Sequence, residues 1–145
     1  MEKYHLGKYD KSSQALLNIM GHYVGEVETL HQFTLLAMMG QFSWNVSLLP
    51  LDQQKKFIKD FSRKFPLMDR DKIRSLLRLF VERKEELYPG DCRFMADIST
   101  SERKRTYHLS VVTLFPEADA KAIEENKEKG TFVSLPLCDF LERDL

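Results

Sequence analysis

Residues 29–51, TLHQFTLLAMMGQFSWNVSLLPL, form a run of 23 residues that carries no formal charge. A transmembrane helix needs about 20 predominantly apolar residues in a row. Only 13 of these 23 residues are apolar, and a membrane-spanning helix would place His31, Gln41 and Asn45 in the hydrocarbon. Lysines shortly after the run would suit a cytoplasmic flank. The composition nevertheless favours a buried helix, and we expect no membrane partner.

A helical wheel of this run shows two apolar stripes on roughly opposite sides. The first stripe consists of Leu30, Phe33, Ala37, Trp44 and Leu48. The second stripe consists of Leu35, Met39, Phe42 and Val46. A helix with two apolar stripes has to be covered on two sides. The sequence therefore predicts a central helix packed between other elements.

Between the apolar stripes lies a face of mostly uncharged polar residues. Its members are His31, Thr34, Met38, Gln41 and Asn45. Polar groups at this spacing would suit the lining of a pocket or a hydrogen-bonded seam between two copies of the chain. The alternative is a polar face that is solvated or paired inside the protein, since buried polar groups normally find hydrogen-bond partners.

Capping residues and periodicity predict further helices on both sides of the run. Residues 12–28 have helical periodicity, but Gly21 and Gly25 leave open whether 12–49 is one helix or two. Pro50 suits the first turn of the next helix. Asp69 suits the N-cap of a strongly periodic helix that ends at the turn YPGD, residues 88–91.

From Cys92 onward the residue pattern changes from the periodicity of helices to that of strands. RFMADI and TYHLSVVTLF are rich in β-branched and aromatic residues and flank the polar connection STSERKR, which predicts a hairpin. A turn symmetric about Glu102 would place Asp97 opposite Tyr107. Because a two-stranded hairpin alone is marginally stable, we expect it to pack on the helices, to gain a strand such as GTFVSL, or to pair with a second chain.

These elements predict one α+β domain over residues 1–145. It is mostly helical, with three or four helices in about 12–88, followed by a β-hairpin or small antiparallel sheet in about 92–115. The C-terminal segment, 116–145, begins with a weak solvated helix and ends with a short amphipathic turn. The whole chain, at 145 residues, is long enough to bury a hydrophobic core.

Charge is balanced overall but unevenly distributed. The 22 basic and 22 acidic side chains cancel, whereas residues 55–84 hold eleven Lys or Arg against four acids, a local net charge of +7. Residues 117–145 hold four basic and eight acidic residues, a local net charge of −4. The basic residues predicted to contact a macromolecule are Lys56, Lys59, Arg63, Arg74 and Arg78, with Arg103, Lys104 and Arg105 at the hairpin tip.

Such a basic surface would suit phosphate contacts. The alternative is a solvated face whose charge is partly neutralised by the acidic C-terminal segment. The phenylalanines near the basic residues fall at core spacing, so they do not form the stacking platform typical of single-strand binding. Nucleic-acid binding is therefore the second interpretation rather than the first.

The sequence has no recognised catalytic or metal-binding motif. His22 and Glu26 are spaced as ligands on one helical turn would be, but a zinc site needs three or four convergent ligands. No HExxH, CxxC pair, P-loop or nucleophile elbow occurs. A small hydrolase or nuclease using His108 with Arg103 or Arg105 stays open, because sites assembled in space leave little trace in one sequence.

The sequence favours a non-enzymatic binding or regulatory protein that needs no cofactor and acts through a macromolecular partner. Another protein is the expected partner, nucleic acid is the alternative, and a homodimer through the polar helical face or the hairpin edge is a further expectation. Two cysteines, Cys92 and Cys138, and an N-terminus without an apolar signal segment favour the cytoplasm.

Overall fold

The computed structural model describes residues 11–64, 69–104 and 106–128, with the side chains of 117 and 126–128 excepted. Within these residues the fold is α+β, as predicted. The helices are α1 (Lys11–Met20), α2 (Leu30–Val46), α3 (Leu51–Ser62), α4 (Arg70–Leu87) and α5 (Pro116–Glu128), and the strands are β1 (Phe94–Arg103) and β2 (Thr106–Leu114). A 3₁₀ helix, Gly21–Glu26, links α1 to the segment before α2.

Residues 12–49 form two α-helices rather than one. Gly21 ends α1 with a left-handed backbone of φ +60°, a conformation in which a side chain is strained. Thr29 then caps α2, because its hydroxyl accepts a hydrogen bond from the Gln32 N–H at 3.1 Å.

The central position predicted for α2 is confirmed. Every residue from Phe33 to Val46 except the half-buried Leu35 is buried. On one side α1 approaches so closely that a Cβ on Gly40 would lie 3.0 Å from the Met20 Sδ. On another side Phe42 stacks on Phe61 of α3, with ring centroids 4.1 Å apart. The helix thus packs against neighbours on several sides at once.

The helices α3 and α4 pack against each other. Asp69 caps α4 as predicted, accepting hydrogen bonds from the N–H groups of Asp71 and Lys72 at 2.9 and 3.3 Å. Ile58 and Phe61 of α3 face the core, as do Ile73, Leu77 and Phe80 of α4. Apolar residues at helical spacing therefore give each helix one buried side and leave the other to solvent.

The hairpin is present, but its turn lies further along than expected. Strand β1 continues through the polar residues to Arg103, so the turn lies between Arg103 and Thr106. Glu102 therefore faces Tyr107, and the expected pairing of Asp97 with Tyr107 is wrong. Residues 99–103, expected in the connection, belong to β1, and all of them except the half-buried Thr100 are exposed.

A register shift between Met95 and Asp97 marks a β-bulge near the start of β1. One face of the hairpin packs on the helices through Ile98, Leu109 and Val111, which are all buried. The hairpin contacts α1, α2 and α5, whereas α3 contacts α2 and α4. The strand expected at GTFVSL and the terminal amphipathic turn lie outside the described residues.

Among the residues that the structure describes, no helix is both long enough and apolar enough to span a bilayer.

Candidate functional site

Of the three basic residues predicted on this helix, Lys56 and Lys59 lie on the outward side of α3, and Arg63 directly follows its last residue. Lys56, Lys59 and Arg63 are exposed, opposite the buried Ile58 and Phe61. Arg63 lies 3.8 Å from the carboxylate of Asp60, one turn earlier, and both side chains are more than half exposed. An exposed pair of this kind contributes little stability. These side chains therefore remain accessible to a partner.

The two predicted residues of α4 differ in their surroundings. Arg74 is bound to Asp71 at 2.6 Å and is 31% exposed at its side chain. Arg78 is exposed and lines a groove between α3 and α4. Arg74 is therefore held against its own helix by Asp71, whereas Arg78 faces the groove.

Two further basic residues of the 55–84 segment point inward. Arg83 donates hydrogen bonds to the carbonyl oxygens of Ile19 and Asn18, both at 2.8 Å, and so closes the C-terminal end of α1. Lys84 is only 2% exposed, with its Nζ 5.4 Å from the centroid of the Trp44 ring. The local charge of +7 is therefore not one continuous basic surface.

The hairpin tip is exposed but is carried by a different part of the fold. Arg103 and Lys104 are both exposed, and Lys104 adopts a left-handed φ of 51°, which is uncommon for a residue other than glycine or asparagine. Arg105 lies outside the described residues. The structure thus divides the predicted basic residues into a helical group and a tip group.

The predicted polar face of α2 is turned towards the hairpin. Thr34, Met38, Gln41 and Asn45 are buried, and His31 is half-buried. Thr34 shares a hydrogen bond of 2.7 Å with Thr100 of β1. A second copy could reach these side chains only if the hairpin moved away, so the face serves the interior of the monomer in this conformation.

Gln41 and Asn45 bind the backbone of the hairpin beside the bulge. Both donate hydrogen bonds to the carbonyl oxygen of Met95, at 3.0 and 2.8 Å. The side-chain Oδ1 of Asn45 also accepts a hydrogen bond from the Met95 N–H at 2.8 Å. The bulge interrupts the strand ladder here, and polar side chains of α2 bind the peptide groups beside it.

A cluster around Trp44 joins the helices to the start of β1. The indole N–H donates to the Arg93 carbonyl oxygen at 2.7 Å, and the Arg93 guanidinium carbon lies 5.4 Å from the ring centroid. Arg93 also binds the carboxylate of Asp91 at 2.7 Å. Burial would raise the pKa of Asp91, but its hydrogen bonds with Arg93 and the charges of Arg93 and Lys84 hold that pKa below its ordinary value.

A groove of about 760 Å³ between α3 and α4 was not predicted from the sequence. Its apolar lining consists of Leu51, Ile58 and Val81, and its charged or polar lining consists of Asp52, Gln54, Lys55, Arg78, Glu82 and Glu85. Leu51 is 80% exposed, whereas Ile58 and Val81 are 3% and 8% exposed. The groove therefore has an apolar floor with one apolar side chain protruding at its end.

The charged side chains that line this groove carry both signs. Asp52, Glu82 and Glu85 are acidic, whereas Lys55 and Arg78 are basic. The only cue in the sequence is an apolar residue directly after Pro50, since the groove itself depends on how two helices are placed.

The described residues contain no cluster of three or more His, Cys, Asp or Glu side chains that would hold a metal ion. Cys92 is an exposed free thiol, and Cys138 lies outside the described residues. His108 is exposed on the outer face of the hairpin, opposite Ser101. On this geometry the α3–α4 groove is best suited to bind an apolar side chain flanked by charges.

Comparisons of the chain with models of protein families, with curated proteins and with solved structures found no match.

Proposed function

We propose that this chain is a non-enzymatic binding or regulatory protein that acts through another protein, bound at the face formed by α3 and α4. The observation that carries the proposal is the groove, in which Leu51 is 80% exposed above an apolar floor. An apolar centre surrounded by polar and charged side chains is the common arrangement of a protein–protein interface.

The distribution of charge on this face supports a protein rather than a nucleic acid as the partner. Acidic Asp52, Glu82 and Glu85 line the same groove as Lys55 and Arg78. A phosphate backbone favours surfaces of uniformly positive charge, because each neutralised phosphate releases a counterion. A protein partner can instead match charges of both signs.

The exposed basic residues on the outward side of α3 extend this face. Lys56, Lys59 and Arg63 would attract an acidic partner and speed its association, an effect that weakens as salt increases. The apolar groove would then supply the short-range contacts that slow dissociation. The proposal places the protein in the cytoplasm, in keeping with the free thiol of Cys92.

The test is affinity capture from lysate of the source cells with three baits: the wild type, Leu51→Gln and Leu87→Gln. Leu87 is 46% exposed and does not line the groove, so it is the matched control. We expect a partner that the wild type and Leu87→Gln retain and that Leu51→Gln loses. A partner retained equally by all three baits would exclude the groove as its binding site.

The hairpin tip is tested separately. Replacing Arg103, Lys104 and Arg105 together by alanine should weaken binding of the same partner without lowering the melting temperature, because exposed side chains contribute little to stability. Unchanged binding would remove the tip from the contact surface and leave the helical face alone.

Nucleic-acid binding is the second candidate, favoured by the exposure of Lys56, Lys59 and Arg63 on one side of α3. Fluorescence anisotropy of labelled single- and double-stranded DNA and RNA at about 50 and about 200 mM salt separates the two candidates. Binding that collapses steeply with salt would support this candidate. Absence of binding at the lower salt would exclude it.

A further inference from the structure

We infer that the part of the partner that enters the α3–α4 groove is a basic amphipathic helix, in which Lys or Arg side chains flank apolar ones. This inference rests on the proposal that the groove is a protein-binding site, and it names the chemistry of the occupant. The charges near the C-terminal end of α4 carry it, because the structure exposes the acidic side chains there and draws the basic ones into the fold.

Near its C-terminal end, α4 exposes acidic rather than basic side chains. Residues 82–86 are Glu, Arg, Lys, Glu and Glu in sequence. The guanidinium group of Arg83 binds two carbonyl oxygens of α1, and Lys84 is only 2% exposed. Both basic side chains therefore serve the interior of the fold. The side chains left exposed are Glu82, Glu85 and Glu86.

Two of these carboxylates line the groove without close neutralisation. Among the described residues Glu82 has no ion pair. The Glu85 carboxylate is 3.9 Å from the Nζ of Lys84, too far for a hydrogen bond, and its side chain is 52% exposed. The negative end of the helix dipole lies at the same end of α4, and carboxylates are unfavourable there. A cationic group of a partner would relieve this repulsion.

The two basic side chains of the groove do not reverse this preference. An acidic occupant would meet three carboxylates, because Asp52 of α3 lines the groove together with Glu82 and Glu85. A basic occupant would meet only Lys55 and Arg78, which are both exposed. Their long flexible stems let these cations turn towards solvent. Charge complementarity therefore favours an occupant with cationic side chains beside the α4 glutamates.

The dimensions of the groove fit a helix. On α4 the lining runs from Arg78 to Glu85, which is a rise of about 10 Å, or two helical turns. An amphipathic helix presents apolar side chains at positions i, i+3, i+4 and i+7 over a similar length. The buried Ile58 and Val81 form the floor against which such side chains pack, and the exposed Leu51 adds a further apolar contact.

Two labelled model peptides of about 15 residues, long enough to form a helix, are the probes. Both carry leucines at the same helical spacing. The lysine peptide has lysine at all remaining positions, and the glutamate peptide has glutamate there. Fluorescence anisotropy with the full chain, at about 50 mM salt to limit screening, measures both affinities. We expect the lysine peptide to bind at least about tenfold more tightly than the glutamate peptide.

Reversing the charge of the groove tests the assignment of the site. The double variant Glu82→Lys/Glu85→Lys should weaken binding of the lysine peptide by about tenfold or more and should bind the glutamate peptide more tightly. That gain is not expected from a variant that merely misfolds. The matched control, Glu26→Lys/Glu125→Lys, makes the same change in net charge at exposed positions outside the groove. It should keep the wild-type preference.

The apolar contact is tested by Leu51→Gln, which should weaken binding of both peptides by about tenfold. Three results would overturn the inference: no binding of the lysine peptide up to about 100 µM, no preference for it over the glutamate peptide, or equal losses in the groove variant and the control. Binding that depends on Leu51 without any charge preference would leave the groove as a binding site. The proposed function fails separately, if affinity capture yields no partner that depends on Leu51.

Discussion

Gly21 illustrates how a single residue couples two helices. Its φ of +60° ends α1, and a Cβ at this position would lie 3.1 Å from Nη2 of Arg83. That guanidinium closes α1 through the carbonyl oxygens of Asn18 and Ile19. A side chain at Gly21 would therefore strain the backbone and also displace the arginine that satisfies the helix end.

We predict that Gly21→Ala lowers the free energy of unfolding by about 2–4 kcal/mol, combining left-handed strain with weakened charged hydrogen bonds. Gly90→Ala is the control, because Gly90 has φ +75° and open space where a Cβ would lie. Gly90→Ala should lower the free energy of unfolding only by the left-handed backbone strain, about 1–2 kcal/mol. Urea unfolding measures both, and equal losses would show that Arg83 adapts freely.

Asp91 gives the stability a specific dependence on pH. Burial raises its pKa, but the hydrogen bonds and charge of Arg93, with the charge of Lys84, together hold that pKa below its ordinary value in the folded protein. A carboxyl group whose pKa is lower in the folded than in the unfolded protein stabilises the fold at pH values above its unfolded pKa. That stabilisation is lost as the pH falls through its folded pKa.

We therefore predict that Asp91→Asn costs about 1–2 kcal/mol of unfolding free energy at neutral pH. The difference from the wild type should shrink as the pH falls below the ordinary pKa of an aspartate and through the lowered pKa of Asp91 in the folded protein. Urea unfolding at a series of pH values checks this. A difference that stays constant down to the lowest pH would mean that the Asp91–Arg93 pair does not contribute through the charge of Asp91.

At the scale of elements, the hairpin is held on α2 by an exchange of hydrogen bonds at Met95. Asn45 binds both the N–H and the carbonyl oxygen of Met95, each at 2.8 Å, whereas Gln41 binds only the carbonyl oxygen. The Gln41 Oε1 is buried without a hydrogen-bond partner among the described residues. The two amides therefore differ in what their loss would leave unpaired.

We predict that Asn45→Leu costs about 2–4 kcal/mol, because the buried Met95 N–H loses its side-chain acceptor. Gln41→Met should cost less than about 1 kcal/mol, since Asn45 still binds the carbonyl oxygen and an unpaired buried acceptor is removed. Urea unfolding gives both values, and hydrogen exchange at the Met95 amide should quicken only in Asn45→Leu. Equal costs would contradict this division of roles.

The elements that could be predicted from the sequence are those with local signals. Asp69 and the apolar periodicity after it predicted α4, and the uncharged run predicted a buried central helix. The hairpin turn was misplaced because residues 104 and 105 lack the glycine or asparagine typical of a two-residue turn. The exposed part of β1, with polar residues on both faces, also reads as a loop when burial is unknown.

At the scale of the whole molecule, local charge was a poor guide to surface charge. Residues 55–84 have a net charge of +7 in sequence, but Lys84 is buried and Arg83 is bound to α1. The groove could not be predicted, because it depends on how α3 and α4 are placed relative to each other. Sequence periodicity reports which side of a helix is buried, and it does not report which gap between two helices stays open.

The sequence predicts a single domain, and a single domain should unfold in one cooperative transition. Trp44, the one tryptophan of the chain, is 0% exposed and contacts Tyr88 and Arg93 at the junction of helices and hairpin. Its fluorescence therefore reports on the hairpin attachment, while far-ultraviolet circular dichroism reports mainly on the helices. Because Met95 and Arg93 tie the start of β1 to α2, the hairpin should not detach before the helices unfold.

We expect the fluorescence and dichroism transitions in urea to coincide in midpoint and slope, as one cooperative unit requires. Asn45→Leu should shift both midpoints together to lower urea, since it weakens a contact shared by the two parts. If the fluorescence transition instead preceded the dichroism transition, the hairpin would be an independent unit resting on a separately stable helical core. That outcome would also restore the hypothesis of a dimer through the polar face of α2, because detachment of the hairpin would expose Gln41 and Asn45 to a second copy.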